Sequence, residues 1–161
     1  MKYFWFSFII VSIFSLSVCY AQNGSEKEKV DAVASQFLDS AAKQVVAASD
    51  IIAAESLDSA KAGYLSLALK FDSTGKSNAK MILPAKKIKS MTSAEVWDYM
   101  KKLSAKMKKL DMEIKWNIVN TEIKNNTAFV TYDVKNRPQK VMELKKENNK
   151  WKVVLSFASI F

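Results

Sequence analysis

Phe4 to Val18 form an uncharged apolar run behind Lys2, and Cys19-Tyr20-Ala21 then lead into the polar Gln22-Asn23-Gly24-Ser25. A positive start, an apolar stretch and small residues at the cleavage point are what a secretory signal requires, so residues 1–21 are expected to be removed after Ala21. Residues 22–161 are then expected to form a single α+β domain. From residue 26 the period changes. Ser25 and Glu28 make a capping box, and Val30, Val33, Phe37, Ala41 and Val45 recur at helical spacing. Asp50 is expected to begin a second helical stretch, with Ile51, Leu57, Ala60, Tyr64 and Ala68 on one face, until Asp72-Ser73-Thr74-Gly75 breaks it. Helix is therefore predicted over residues 26–71, as one long or two consecutive helices. Residues 72–91, with Gly75, Pro84 and Lys86-Lys87-Lys89, read as an irregular connection or a lone strand around Met81-Ile82-Leu83.

Thr92 and Glu95 make another capping box. After it Val96, Met100, Leu103, Met107 and Leu110 mark the apolar stripe of a helix over 92–110, with lysines mostly on its other side. Strand alternation takes over in residues 112–160. Met112, Ile114, Trp116 and Ile118 share one phase and Val119, Thr121 and Ile123 the other, a slip that a β-bulge near Ile118-Val119 absorbs. A two-residue turn at Asn125-Asn126 sets Ile123 opposite Ala128 and Thr121 opposite Val130. The same turn at Asn148-Asn149 sets Leu144 opposite Val153 and Met142 opposite Leu155. A two-residue loop at Asn136-Arg137-Pro138-Gln139 would mix the faces. A three- or five-residue turn is expected instead, with Tyr132 opposite Met142 or Leu144. The result is N-terminal helices packed on a four-stranded antiparallel meander, with Trp116, Val130, Tyr132, Leu144, Trp151, Val153, Leu155 and Phe157 on the covered face. Phe129, Val141, Val154 and Ile160 fall on the opposite face, either as an interface between copies or beneath an N-terminal helix.

Composition narrows the chemistry. The chain has no histidine, and its one cysteine, Cys19, lies in the segment expected to be lost. Ser-His-Asp and Cys-His catalysis, imidazole or thiolate zinc sites, disulfides and histidine pH switches are thereby excluded, and no metal or cofactor is expected. Removing Lys2 from 25 basic residues leaves 24 against 16 acidic ones, a net charge of +8. Every basic residue except Arg137 is lysine, which lacks the planar fork that reads guanine, so nucleic acid is not expected as a partner. The lysines suit either a solvated surface or contact with anionic glycan or lipid headgroups.

Two other readings of the start compete with a cleaved signal. Tyr3 to Ala21 is nearly long enough for a retained membrane anchor, although Ser7, Ser12, Ser15 and Ser17 dilute it. Leu16-Ser17-Val18-Cys19 resembles a bacterial lipobox, in which Cys19 would carry lipid and hold the protein at a membrane surface; Val18 stands where Gly, Ala or Ser is usual.

The capped helix from residue 92, the long bulged strand and the closing Asn149-Lys150-Trp151-Lys152-Val153 resemble the nuclear-transport-factor-type, or SnoaL-like, cone-fold superfamily. The likeness is greatest to exported bacterial domains of unknown function and covers residues 92–161 best. Residues 26–71 depart from it, since many such domains have a short first helix and a compact second one; a cystatin-like helix-on-sheet arrangement is the other reading. The resemblance implies a conical cavity between a curved sheet and its helices, which members use for small apolar ligands, for ketosteroid-isomerase-type catalysis or as an association scaffold. Fold does not choose among these.

Trp97, Trp116, Tyr132 and Trp151 are the candidate pocket-lining residues, with core packing as the plainer account of the same side chains. An enzyme of the cone type would need a carboxylate base and a phenol or acid donor, for which Asp98, Tyr99 and Tyr132 are nearest. Asp98 near the start of a capped helix already has a structural explanation in the helix dipole. The Ser-x-x-Lys matches at Ser40, Ser73 and Ser77 lack the partner motifs that give this signature meaning. The sequence thus favours a non-enzymatic module whose partner is a small apolar molecule in the cone. The alternatives are a protein partner on the sheet, a second copy included, and, ranked below both, a ketosteroid-isomerase-like enzyme.

Overall fold

The computed structural model describes residues 26–74, 82–106 and 114–155. Ser25, at the start of the first capping box, lies outside them. Helix α1 occupies residues 26–42, and its buried stripe is Val30, Ala34 and Leu38, flanked by half-buried Val33 and Phe37. The expected stripe is therefore turned: Ala41 is exposed and Val45 lies beyond the helix. α1 closes in a Schellman arrangement, with the Val45 N–H donating to the Ser40 carbonyl and the Gln44 N–H to that of Ala41, each at 3.0 Å. Gln44 takes the left-handed position at φ 55°. Glycine is usual there, so the sequence shows no stop signal where the helix ends.

The chain then crosses to the sheet, which corrects the expectation of helix through 43–53. A 3-10 turn spans Ser49–Ile51, Ile52 makes a single parallel bridge to Val153, and the Ala53 N–H donates to the Val153 carbonyl at 2.9 Å. Ile51, Ile52 and Ala53 are all buried. Helix α2, Ala54–Thr74, starts after this crossing rather than at Asp50. Its first N–H, from Ala54, donates to the carboxylate of Glu147 at 3.2 and 3.4 Å, so a residue distant in sequence neutralises the positive end of the helix. Leu57, Ala60, Tyr64 and Ala68 form the buried face that their spacing predicts.

Helix α3, Ala85–Ser90, replaces the expected connection or strand. Pro84 precedes it at φ −56°, the Asp72 carboxylate accepts the Ala85 N–H at 3.0 Å, and Ala85 and Ile88 are buried against Tyr64 and Ala68. Met81 lies outside the described residues; Ile82 and Leu83 are half-buried and not in a strand. Helix α4, Ser93–Ser104, begins with the predicted capping box: Thr92 Oγ1 accepts the Glu95 N–H at 3.2 Å, and Glu95 accepts the Thr92 N–H at 2.6 Å. Val96 and Trp97 are buried, Met100 and Leu103 half-buried, and Met107 and Leu110 lie outside the described residues.

Strands β1 (Trp116–Lys124), β2 (Thr127–Val134), β3 (Lys140–Glu147) and β4 (Lys150–Val154) form one antiparallel sheet in that order. Ile118 faces Tyr132 and Asn120 faces Thr131, so Val119 is the bulged residue that the change of phase requires. Ile123 faces Ala128, Thr121 faces Val130 and Leu144 faces Val153, as the turn chemistry predicts. Asn125, Asn148 and Asn149 have φ of 56°, 49° and 61°, which asparagine tolerates better than most residues.

Two registers differ from expectation. Tyr132 faces Lys140, and Met142 faces Val130. The faces match as an odd loop demands, but the turn comes earlier: the Arg137 N–H closes on the Val134 carbonyl at 2.9 Å with Asn136 at φ 63°, ahead of Pro138, which has no N–H to donate. Leu155 does not pair with Met142 in the ladder, because β4 ends at Val154 and the Leu155 N–H turns to Ser56 Oγ at 2.8 Å.

The fold is thus α+β, with helices N-terminal to a four-stranded antiparallel sheet. Val130, Ala128, Met142, Leu144, Trp151 and Val153 of the sheet meet α1, Ile51, Ile52 and Trp97 in one core, and Tyr64, Ala68, Ala85, Ile88 and Val96 form a second cluster among α2, α3 and α4.

Candidate functional site

The four candidate aromatic residues lie around three depressions, two of which adjoin across Phe37 and Ala41. Trp97 projects from α4 into the main core and its Nε1–H donates to the Ala47 carbonyl at 2.9 Å, which satisfies the indole. It borders a space of about 260 Å³ between the end of α1 and Leu155. Trp151 borders a second space, of about 460 Å³, with Glu26, Lys27, Thr121 and Lys146. Trp116 and Tyr132 share the third, of about 270 Å³.

The second space is polar, and its groups are already matched to one another. Glu26 in the first turn of α1 accepts from Lys146 Nζ at 2.8 Å, Lys29 Nζ at 3.0 Å and Trp151 Nε1 at 2.9 Å. Lys146 Nζ also lies 5.7 Å from the centre of the Trp151 ring, within cation–π range. Asp31 accepts from Lys27 at 2.7 Å and from Thr121 Oγ1 at 2.5 Å. This cluster fastens the start of α1 to β1, β3 and β4. Lys146 chiefly, with Lys29 and Trp151, holds the Glu26 carboxyl down from 4.5 to about 2. A depressed carboxyl contributes stability that is fully present above the unfolded value and is lost as pH falls through the folded one. Glu26→Gln is therefore expected to weaken the protein at neutral pH and to flatten the part of the acid limb between pH 4.5 and about 2. Urea denaturation at intervals across that range checks it; an acid limb identical to the parent's would show the cluster contributes nothing.

The third space is a slot with three apolar walls. Phe37, Leu38 and Ala42 come from the last turns of α1, Trp116 from the start of β1 with Ile114 just before it, and Tyr132 and Val134 from the end of β2. These residues converge because the Schellman closure ends α1 opposite the open end of the β1–β2 hairpin. Arg137 and Lys140 stand at its edge. Burial raises the Tyr132 phenol above its ordinary value of 10, so at neutral pH it is a neutral hydroxyl able to donate a hydrogen bond.

Sequence reasoning singled out Trp116 and Tyr132 and gave them no partners. Phe37 belongs to the helical stripe that the spacing marks, and nothing in the sequence singles out Leu38. Arg137 carried a usable signal, as the one arginine among 25 basic residues. The residues proposed for a cone-type enzyme are not gathered at the slot: Tyr99 packs on Tyr64, ring centres 6.3 Å apart, in the helical cluster, while Tyr132 packs on the sheet core. Among the described residues no group of three or more His, Cys, Asp or Glu is placed to hold a metal ion, and no helix is long and apolar enough to cross a membrane. Comparison with protein-family models, curated proteins and solved structures finds no match.

Proposed function

We propose that this chain is an exported, non-enzymatic binding module that holds a small, mainly apolar molecule between α1 and the β1–β2 hairpin. One observation carries the reading: apolar side chains from α1, β1 and β2 converge on a single open slot of about 270 Å³. Ligand sites commonly run from ~300 to 1,000 Å³, so the occupant is small. At ~30 Å³ for a water-sized group, roughly nine such groups fit. Helices followed by a bulged antiparallel meander accord with the cone-fold resemblance, and the apolar run before Ala21 supports export.

The test is binding of the neutral probe indole, whose nine non-hydrogen atoms match that volume, by calorimetry, with native mass spectrometry of the purified chain. Ala42 is half-buried at the end of α1 and lines the slot. Ala42→Phe is expected to fill the space and abolish probe binding while leaving the thermal midpoint nearly unchanged. Undiminished binding by a folded Ala42→Phe variant would place the ligand elsewhere.

A second reading, association through the outer sheet face, is favoured by Val119 and Val141, which are 50% and 63% exposed. A dimer in the same mass spectra that Val141→Lys dissociates would support it.

A further inference from the structure

Resting on the slot assignment above, we infer that the ligand is an amphipathic anion, a small molecule with a carboxylate at one end and an apolar body of about eight carbons. The apolar walls set the body, and the edge sets the head. Arg137 and Lys140 both line the slot where the β2–β3 connection passes its mouth. That connection is fixed by three hydrogen bonds: Arg137 N–H to the Val134 carbonyl at 2.9 Å, Lys135 N–H to the Lys115 carbonyl at 3.0 Å, and Gln139 Nε2 to Asp133 Oδ1 at 3.1 Å.

The last of these matters most. Asp133 is four residues from Arg137 and Glu143 three from Lys140, yet Asp133 alternates with Tyr132 and Val134, and Glu143 with Met142 and Leu144, so both point to the other face of the sheet, where Gln139 holds Asp133. Among the described residues ion pairs hold Lys27, Lys29, Lys124, Lys145, Lys146 and Lys152, a minority of the cations. Arg137 and Lys140 have no ion pair among the described residues. A guanidinium beside an apolar slot is suited to a carboxylate through its two parallel N–H donors. Tyr132 also lines the slot, and its hydroxyl is a further group able to donate.

The experiment titrates the purified chain with sodium octanoate, 1-octanol and octylamine, eight-carbon chains that differ in head, by calorimetry at low and high salt. Octanoate is expected to bind about tenfold or more tighter than octanol, the scale of a hydrogen bond to a charged group. Octylamine should bind more weakly than either, and the octanoate preference should shrink in high salt. Arg137→Gln should remove the preference for octanoate and leave octanol binding as it was; Lys140→Gln should reduce it by less. Equal binding of octanoate and octanol, or a preference that survives Arg137→Gln, overturns the anionic head and leaves the slot standing. Failure of both compounds to bind, or binding that Ala42→Phe does not affect, overturns the slot and the inference with it.

Discussion

Replacing Trp97 with alanine is expected to lower stability by about 3–5 kcal/mol, the range for deleting a buried indole. The ring is 3% exposed, and it joins α4 to the chain between α1 and the 3-10 turn through its bond to Ala47, itself 3% exposed. Trp97→Phe keeps most of the ring but strands the buried Ala47 carbonyl, for a loss of about 1–3 kcal/mol. Urea midpoints measure both, and an unchanged slope would show that the native and unfolded states keep their extent. Because Trp97 borders a different space from Trp116 and Tyr132, Trp97→Phe should leave ligand binding at the slot unaltered. Loss of binding in that folded variant would make Trp97 a ligand residue after all.

Ser56→Ala is expected to cost about 1–3 kcal/mol, out of proportion to the oxygen removed, because it leaves a backbone donor without an acceptor. Ser56 is the one buried polar residue among those described, at 1% exposure. Its hydroxyl accepts the Leu155 N–H at 2.8 Å and faces the Leu155 carbonyl at 3.4 Å. It continues past Val154 the hydrogen bonding that the ladder with β3 no longer supplies. The Leu155 amide should accordingly exchange with solvent faster in the variant than global unfolding allows. A variant as stable as the parent, with Leu155 still protected, would show that water or another group replaces the hydroxyl.

The legible parts of the fold were those decided by neighbours in sequence. Asn125-Asn126 and Asn148-Asn149 fix their registers through local backbone angles, Thr92 and Glu95 satisfy each other's backbone, and the phase slip at Val119 shows in the alternation itself. The illegible parts depend on partners far along the chain. Gln44 ends a helix without the glycine that would announce it. α2 is capped by Glu147 and α3 by Asp72, so neither start carries a local cap of its own. The β2–β3 turn could be restricted to odd lengths by matching faces, but parity cannot distinguish registers two residues apart. At the slot, the β1–β2 register places Trp116 beside Tyr132, but the opposing wall of Phe37, Leu38 and Ala42 depends on where α1 stops, which the sequence does not announce.

The bridge from Ile52 to Val153 lies on the free side of β4, and the Ala53 and Leu155 amides on either side of it are also engaged. On the far margin of the sheet, Val119 breaks the regular spacing of β1, and exposed Glu122 and Lys124 follow it. An incoming extended peptide would meet an occupied rim on one side and an irregular, charged rim on the other, the usual obstacles to runaway strand addition. Copies of this protein that come together must therefore do so broadside, through side chains, rather than by lengthening the sheet into a fibre.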